Sequence, residues 1–222
     1  TKPETSEPEV VTGVNMAIKT EKKHSTITVD EKTGVATIPY EVTVTNNGDD
    51  LFGLDIIDKL TEIKVTDENG NDTISDEDKG KVAITYTDVK VNDTPVEAML
   101  TAENGGTVPA LQRNDKFESG KTVTLTYNIK VRNASTAKVM VSLKNTAMGG
   151  SWAADGNGAR MFRMARSGGG YDITDSATDS ASVGGSSASV VIPPVTPEKV
   201  TITYMDGTTK IDEDTPDKGD EY

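Results

Sequence analysis

Asp58 in the run LDIIDKL and Asn145 in the run LKNTA are polar side chains set in apolar alternations. Asp58 shares a two-residue phase with Leu54, Ile56 and Leu60, and Asn145 shares one with Val139, Val141 and Leu143. In an extended chain such a phase is one face, so both groups are expected to point inward. An inward amide needs a partner, covalent or hydrogen-bonded, and an inward carboxyl is a candidate for proton transfer. The plainer reading makes Asp58 a strand-end turn residue and Asn145 a hydrogen-bonded core amide.

The acidic run DENGNDTISDED offers different chemistry. Asp67, Asn69, Asn71, Ser75 and Asp78 occupy oxygen-ligand positions of an EF-hand-like calcium loop, and Ile74 takes its apolar place. The run departs from that motif at Asp72, where Gly makes the sharp turn, and at Asp78, which is shorter than the usual Glu. A solvated acidic hairpin loop is therefore the expectation, with calcium as the alternative and no other cofactor implied.

Arg160, Arg163 and Arg166 form a basic island beside Trp152, Met161, Phe162 and Met164, in a Gly-rich stretch. Aromatic and Arg side chains are what binding hot spots use, so Trp152, Arg160, Phe162, Arg163 and Arg166 are candidates for contacting an acidic glycan or a protein partner. The simpler reading is a long loop with a short helix that packs Met161, Phe162 and Met164 over an open end of the fold. His24 stands among charged residues and reads as an exposed strand-end His. Being the only His, it leaves little room for His-based hydrolysis or a multi-His metal site. The absence of Cys excludes disulfides and thiolate chemistry. An enzyme is not expected.

Positioning these groups falls to strands. The 222 residues carry 36 Asp+Glu against 23 Lys+Arg, a net charge of -13, which argues against a nucleic-acid partner. No apolar stretch reaches the length of a membrane span and none resembles the core of a signal peptide, so a soluble piece of something longer is expected, with no membrane insertion. Alternation marks strands at 14–18, 27–29, 38–44, 54–65, 82–96, 123–131, 139–147 and in DSATDSASV, with Asn47-Gly48 as a turn. This pattern predicts an all-β, immunoglobulin-like antiparallel β-sandwich over 11–184. Residues 1–10 read as a linker, 185–197 as a Ser/Pro linker and 198–222 as a partial β module.

YEVTVTNNGDD, LDIIDKL, GKTVTLTYNIKVRN, LKNTA and DSATDSASV, in that order, resemble the repeat domain of bacterial surface proteins and the isopeptide-forming fimbrial domains of collagen-adhesin A type. VTITYMDG with GDEY is similar to the opening of mucin-binding-type repeats. The resemblance implies an extracellular stalk or adhesin segment of a Gram-positive, cell-wall-attached protein, partnered by other domains of the same protein and by a host glycan or protein.

It also implies a reaction, in which a Lys of the first strand condenses with an Asn near the last strands, assisted by a buried acid. The Lys must be desolvated enough to be a neutral nucleophile, and a carboxyl must carry protons as ammonia leaves. Asn145 matches the Asn and Asp58 the acid. Lys19 in MAIKT matches the Lys by position but is out of phase with Val14, Met16 and Ile18, whereas Lys22 is in phase. Either a bulge turns Lys19 inward, or Lys22 is the nucleophile, or no bond forms.

Overall fold

In a computed structural model of the chain, the described residues are 14–30, 33–67, 69–133, 139–154 and 170–184, together with the backbone of 202–206 and 209–214. Their elements are β1 (Ile18–His24), β2 (Thr28–Val29), β3 (Val35–Asn46), β4 (Leu51–Asp67), α1 (Asp76–Gly80), β5 (Val82–Val91), β6 (Thr94–Pro95), β7 (Gly106–Phe117), β8 (Thr122–Asn133), β9 (Val139–Trp152), β10 (Ile173–Gly184), β11 (Ile202–Asp206) and β12 (Thr209–Asp214). The first sheet runs β1-β3-β8-β5-β6, with β2 also on β3, and the second runs β10-β9-β4-β7. Strands pair antiparallel throughout, and the two sheets pack as an all-β sandwich. β11 and β12 form a separate two-stranded sheet.

β3 and β8 build the floor of the core. Ala36, Ile38, Tyr40, Val42 and Val44 alternate inward on one, and Val123, Leu125, Tyr127, Ile129 and Val131 on the other. Their register sets like against like, with Ile38 opposite Ile129 and Tyr40 opposite Tyr127. Branched and aromatic side chains on a pleated surface favour this arrangement, and the outward Thr residues keep the other face polar. The second sheet answers with Leu54, Ile56 and Leu60 of β4 and Val141, Leu143 and Ala147 of β9. The turn after β3 is locked by Asn46, whose Nδ2 donates to the Phe117 and Asp49 carbonyls while its Oδ1 accepts from Gly48 N–H.

Three local features depart from the alternation. β7 was not expected as a strand. It pairs with β4 alone, at the sheet edge, where a proline such as Pro109 is tolerated. A register shift between Leu60 and Glu62 interrupts β4 and sets Ile63 opposite the buried Leu143, yet Ile63, expected to continue the strand, is 42% exposed. Val14 and Met16, expected to open the first strand, lie ahead of β1 and are exposed.

The two sheets are joined along the β1 and β10 edges. Thr20 N–H donates to the Asp175 carboxylate at 2.6 Å, and Thr20 Oγ1 donates to the Asp175 carbonyl at 3.0 Å. This places the first strand of one sheet beside the last strand of the other.

Candidate functional site

On β1, side chains at even positions face the core, so Lys22 points inward and Lys19 outward. Lys19 is 61% exposed and pairs with Glu21. No bulge turns it in, because β1 pairs with β3 without a register shift. The positional match to Lys19 is thus corrected: Lys22 is the lysine that the strand phase buries, with its side chain wholly enclosed.

Opposing strands then bring the partners together. In the first sheet His24, Tyr40 and Tyr127 form a row across β1, β3 and β8, with Lys22 next to it. In the second sheet Asn145 stands opposite Leu60 on β4 and Asp179 on β10, and Asp58 lies one diagonal step away, opposite Ala147. Asp58 and Asn145 are fully buried, as their phases predicted, and Asp58 sits mid-strand, not at a strand-end turn.

Lys22 Nζ lies 2.5 Å from Asp58 Oδ2 and also donates to the Tyr127 hydroxyl. Tyr127 Oη donates to Asp58 Oδ2 at 2.7 Å and accepts from Asn145 Nδ2 at 3.0 Å. Tyr86 Oη donates to Asp58 Oδ1 at 3.0 Å. Lys22 Nζ also stands over the Tyr40 ring, 4.9 Å from its centre, and 5.1 Å from the centre of the Tyr127 ring. One hydroxyl therefore links amine, carboxylate and amide.

Burial pushes the Lys22 amine below the ordinary lysine range, against the pull of Asp58 and Asp179. Burial likewise holds the Tyr127 and Tyr86 hydroxyls well above the ordinary phenol range, with the Asp58 charge adding to it, so both stay protonated donors. Asn145 Oδ1 is buried without a hydrogen-bond partner, as is the Tyr40 hydroxyl. An unpaired buried carbonyl costs about 1–3 kcal/mol, and a buried ion pair is on balance no more stabilising than apolar packing. Stability alone does not explain this cluster. A desolvated amine, a proton acceptor and a carboxamide in an enclosed chamber are the components of an amide transfer within the chain.

His24, expected to be exposed and without a partner, is half-buried. Its Nδ1 bonds the Asp179 carboxylate, and its ring packs on Tyr40 with centres 5.8 Å apart. The tyrosines were not singled out in the sequence as functional, although a signal was there. Tyr40, Tyr86 and Tyr127 all fall on inward phases, and a buried tyrosine hydroxyl needs a polar partner.

The calcium candidates do not converge. The Asp67 carboxylate accepts from the Asn69 and Asn71 N–H groups, Asn71 Nδ2 and Thr73 Oγ1. These bonds, that from Asn71 N–H first, hold its carboxyl below the usual range. Ser75 caps α1 by accepting from Asp78 N–H, and Lys81 pairs with Asp78. The expected hairpin is replaced by a crossover containing α1, from the second sheet to the first. Among the described residues no group of three or more His, Cys, Asp or Glu is placed to hold a metal.

Trp152 is engaged in packing. The Arg113 guanidinium lies 4.3 Å from its ring centre, Tyr171 packs at 4.9 Å, and its Nε1 donates to the Gly170 carbonyl. Arg160, Phe162, Arg163 and Arg166, and the helix expected near them, lie outside the described residues. No helix among the described residues is long and apolar enough to cross a membrane.

No protein-family model matches the chain, and no curated protein matches it. A solved structure described as "AvmM Catalyzes Macrocyclization in Alchivemycin A Biosynthesis" is similar over 81% of this chain and 91% of that one, at 15% identity and a TM-score of 0.35. That neighbour is an enzyme, so the expectation that the present chain is not one is corrected and goes no further. A likeness at that TM-score carries no argument about what this chain does.

Proposed function

We propose that this chain is a load-bearing β-sandwich module of a bacterial surface protein, locked by an amide bond between Lys22 Nζ and Asn145 Cγ. The observation that carries the reading is the shared Tyr127 hydroxyl, which holds the enclosed Lys22 amine and the Asn145 carboxamide together beside Asp58. The sequence resemblance to isopeptide-forming fimbrial domains supports the same reaction, and the fold supplies a reason for it. β1 is an edge strand of one sheet and β9 an inner strand of the other, so the bond ties the two layers covalently.

The step balances without any external reagent. The Lys22 ammonium gives one proton to the Asp58 carboxylate, and the neutral amine attacks Asn145 Cγ. The new C–N bond forms, the surplus proton of the attacking nitrogen passes to Nδ2, the bond from Cγ to Nδ2 breaks, and the ammonia so formed takes the proton back from Asp58 as ammonium. Enclosure keeps water from competing for the carbonyl.

A load applied to the two ends then passes through the new bond and bypasses everything between residues 22 and 145. That segment, about 120 residues, spans roughly 400 Å when extended at about 3.4 Å per residue. Single-molecule pulling tests this directly. The wild-type module is expected to unfold with an extension shorter by that amount than Asn145→Ala, and equal extensions for the two would overturn the reading.

A further inference from the structure

Resting on the Lys22–Asn145 reading, we propose that Tyr127 is a catalytic residue of the cross-linking, a hydroxyl that passes a proton from the attacking nitrogen to the departing one. It deepens that reading because the lysine, acid and asparagine alone leave one proton transfer without a carrier. After attack, the former Lys22 nitrogen bears a surplus proton, while Nδ2 must gain one to leave as ammonia. Asp58 is already occupied by the proton taken from the ammonium.

The Tyr127 oxygen contacts both nitrogens. It accepts from Lys22 Nζ on one side and from Asn145 Nδ2 at 3.0 Å on the other. Its own hydrogen rests on Asp58 Oδ2 at 2.7 Å in the starting state. When Asp58 takes the Lys22 proton it ceases to be the better acceptor, and the phenol hydrogen is free to turn toward Nδ2. Passing that hydrogen to Nδ2 while accepting the surplus proton from the attacking nitrogen leaves Tyr127 a neutral phenol before and after. The sum is one amide formed, one amide broken and one ammonia released. Burial keeps the phenol protonated, which suits a two-way relay and not a phenolate base.

Tyr86 supplies the internal comparison. Its hydroxyl donates to the other Asp58 oxygen and also meets the Asn145 side chain, and its ring tilts against Tyr127 with centres 5.3 Å apart, whereas the hydrogen bonds from Lys22 Nζ go to Asp58 and Tyr127. Tyr127 is also clamped more firmly, stacked on Tyr40 at 5.6 Å with its ring 2% exposed or less. A relay requires this fixed placement between two reacting atoms.

The test follows ammonia loss by intact mass in the full chain, from synthesis onward, for wild type, Tyr127→Phe and Tyr86→Phe. Tyr127→Phe is expected to lose ammonia at least about 100-fold more slowly, the scale of a lost proton-transfer group, while Tyr86→Phe, which removes a hydrogen bond to Asp58 but none to Lys22, slows it by at least about tenfold less. A Tyr127→Phe chain that is folded and cross-links at the wild-type rate overturns the proposal, and so does equal slowing in Tyr86→Phe. A ring-fluorinated tyrosine at position 127 keeps shape and hydroxyl but is a stronger acid, so it guards against a folding defect. Its cross-linking rate is expected to change relative to wild type with the fold intact, and an unchanged rate counts against the relay. If the wild type itself keeps its full mass, the underlying Lys22–Asn145 reading falls, and the relay with it. A modified wild type beside an equally modified Tyr127→Phe removes only the relay.

Discussion

Replacing Asp58 by Ala in an Asn145→Ala chain, which cannot cross-link, strands the Lys22 amine in a chamber built for a pair. In the parent the ammonium has the carboxylate at 2.5 Å and no access to water. Removing one member of a buried pair costs about 3–5 kcal/mol. An independent ceiling gives the same scale. The stranded lysine can shed its proton, and doing so at pH 7 from an ordinary value of 10.5 costs about 1.4 kcal/mol per unit, or about 5 kcal/mol in all. The penalty is pH-dependent with a definite sign. The unfolded chain holds the Lys22 proton up to the ordinary lysine range, whereas the folded chain, with its amine pushed down by burial, gives it up earlier. Unfolding therefore takes up a proton, and folded stability rises with pH until the ordinary lysine value is reached. Urea unfolding of both chains from about pH 7 to about pH 10 should show a deficit of several kcal/mol that shrinks as pH rises. A deficit under about 1 kcal/mol, or one that does not change over that span, would refute the reasoning.

Three further outcomes follow from the same geometry. The cross-linked wild type should exceed Asn145→Ala in stability by about 4–5 kcal/mol, the loop-closure scale for a covalent link around more than 100 residues, measured by denaturant unfolding. Asp175→Ala removes the acceptor of Thr20 N–H between β1 and β10, and should cost about 1.5–3 kcal/mol with faster amide exchange along β1. Gly150→Ala places a methyl 2.5 Å from Tyr171 Cγ, so thermal unfolding should reveal a loss of about 1–3 kcal/mol and a changed Trp152 emission.

The sandwich and the inward placement of Asp58 and Asn145 were legible because strand phase is a local property. Asp58 and Asn145 lie in runs with unbroken alternation, and each is fully buried. Lys22 was equally legible by phase, and it was the positional match to Lys19 that pointed outward. Register between distant strands was not readable. Nothing in the sequence says that Tyr40 pairs with Tyr127, or that Asn145 stands between Leu60 and Asp179, because those neighbours are set by pairing across more than 30 residues. The partner of His24 was hidden for the same reason, since Asp179 lies 155 residues further along the chain. β7 escaped because Pro109 and two register irregularities break its alternation, which an edge strand tolerates. The acidic loop looked like a ligand set because spacing alone does not show that Asp67 spends its oxygens on its own loop.

The central claim is the covalent bond, and the most direct measurement is the intact mass of the purified chain followed by peptide mapping. The bond predicts a mass lower than the sequence value by one ammonia and a branched peptide joining Lys22 to Asn145. A full sequence mass, or a branch that runs through Lys19, would contradict it.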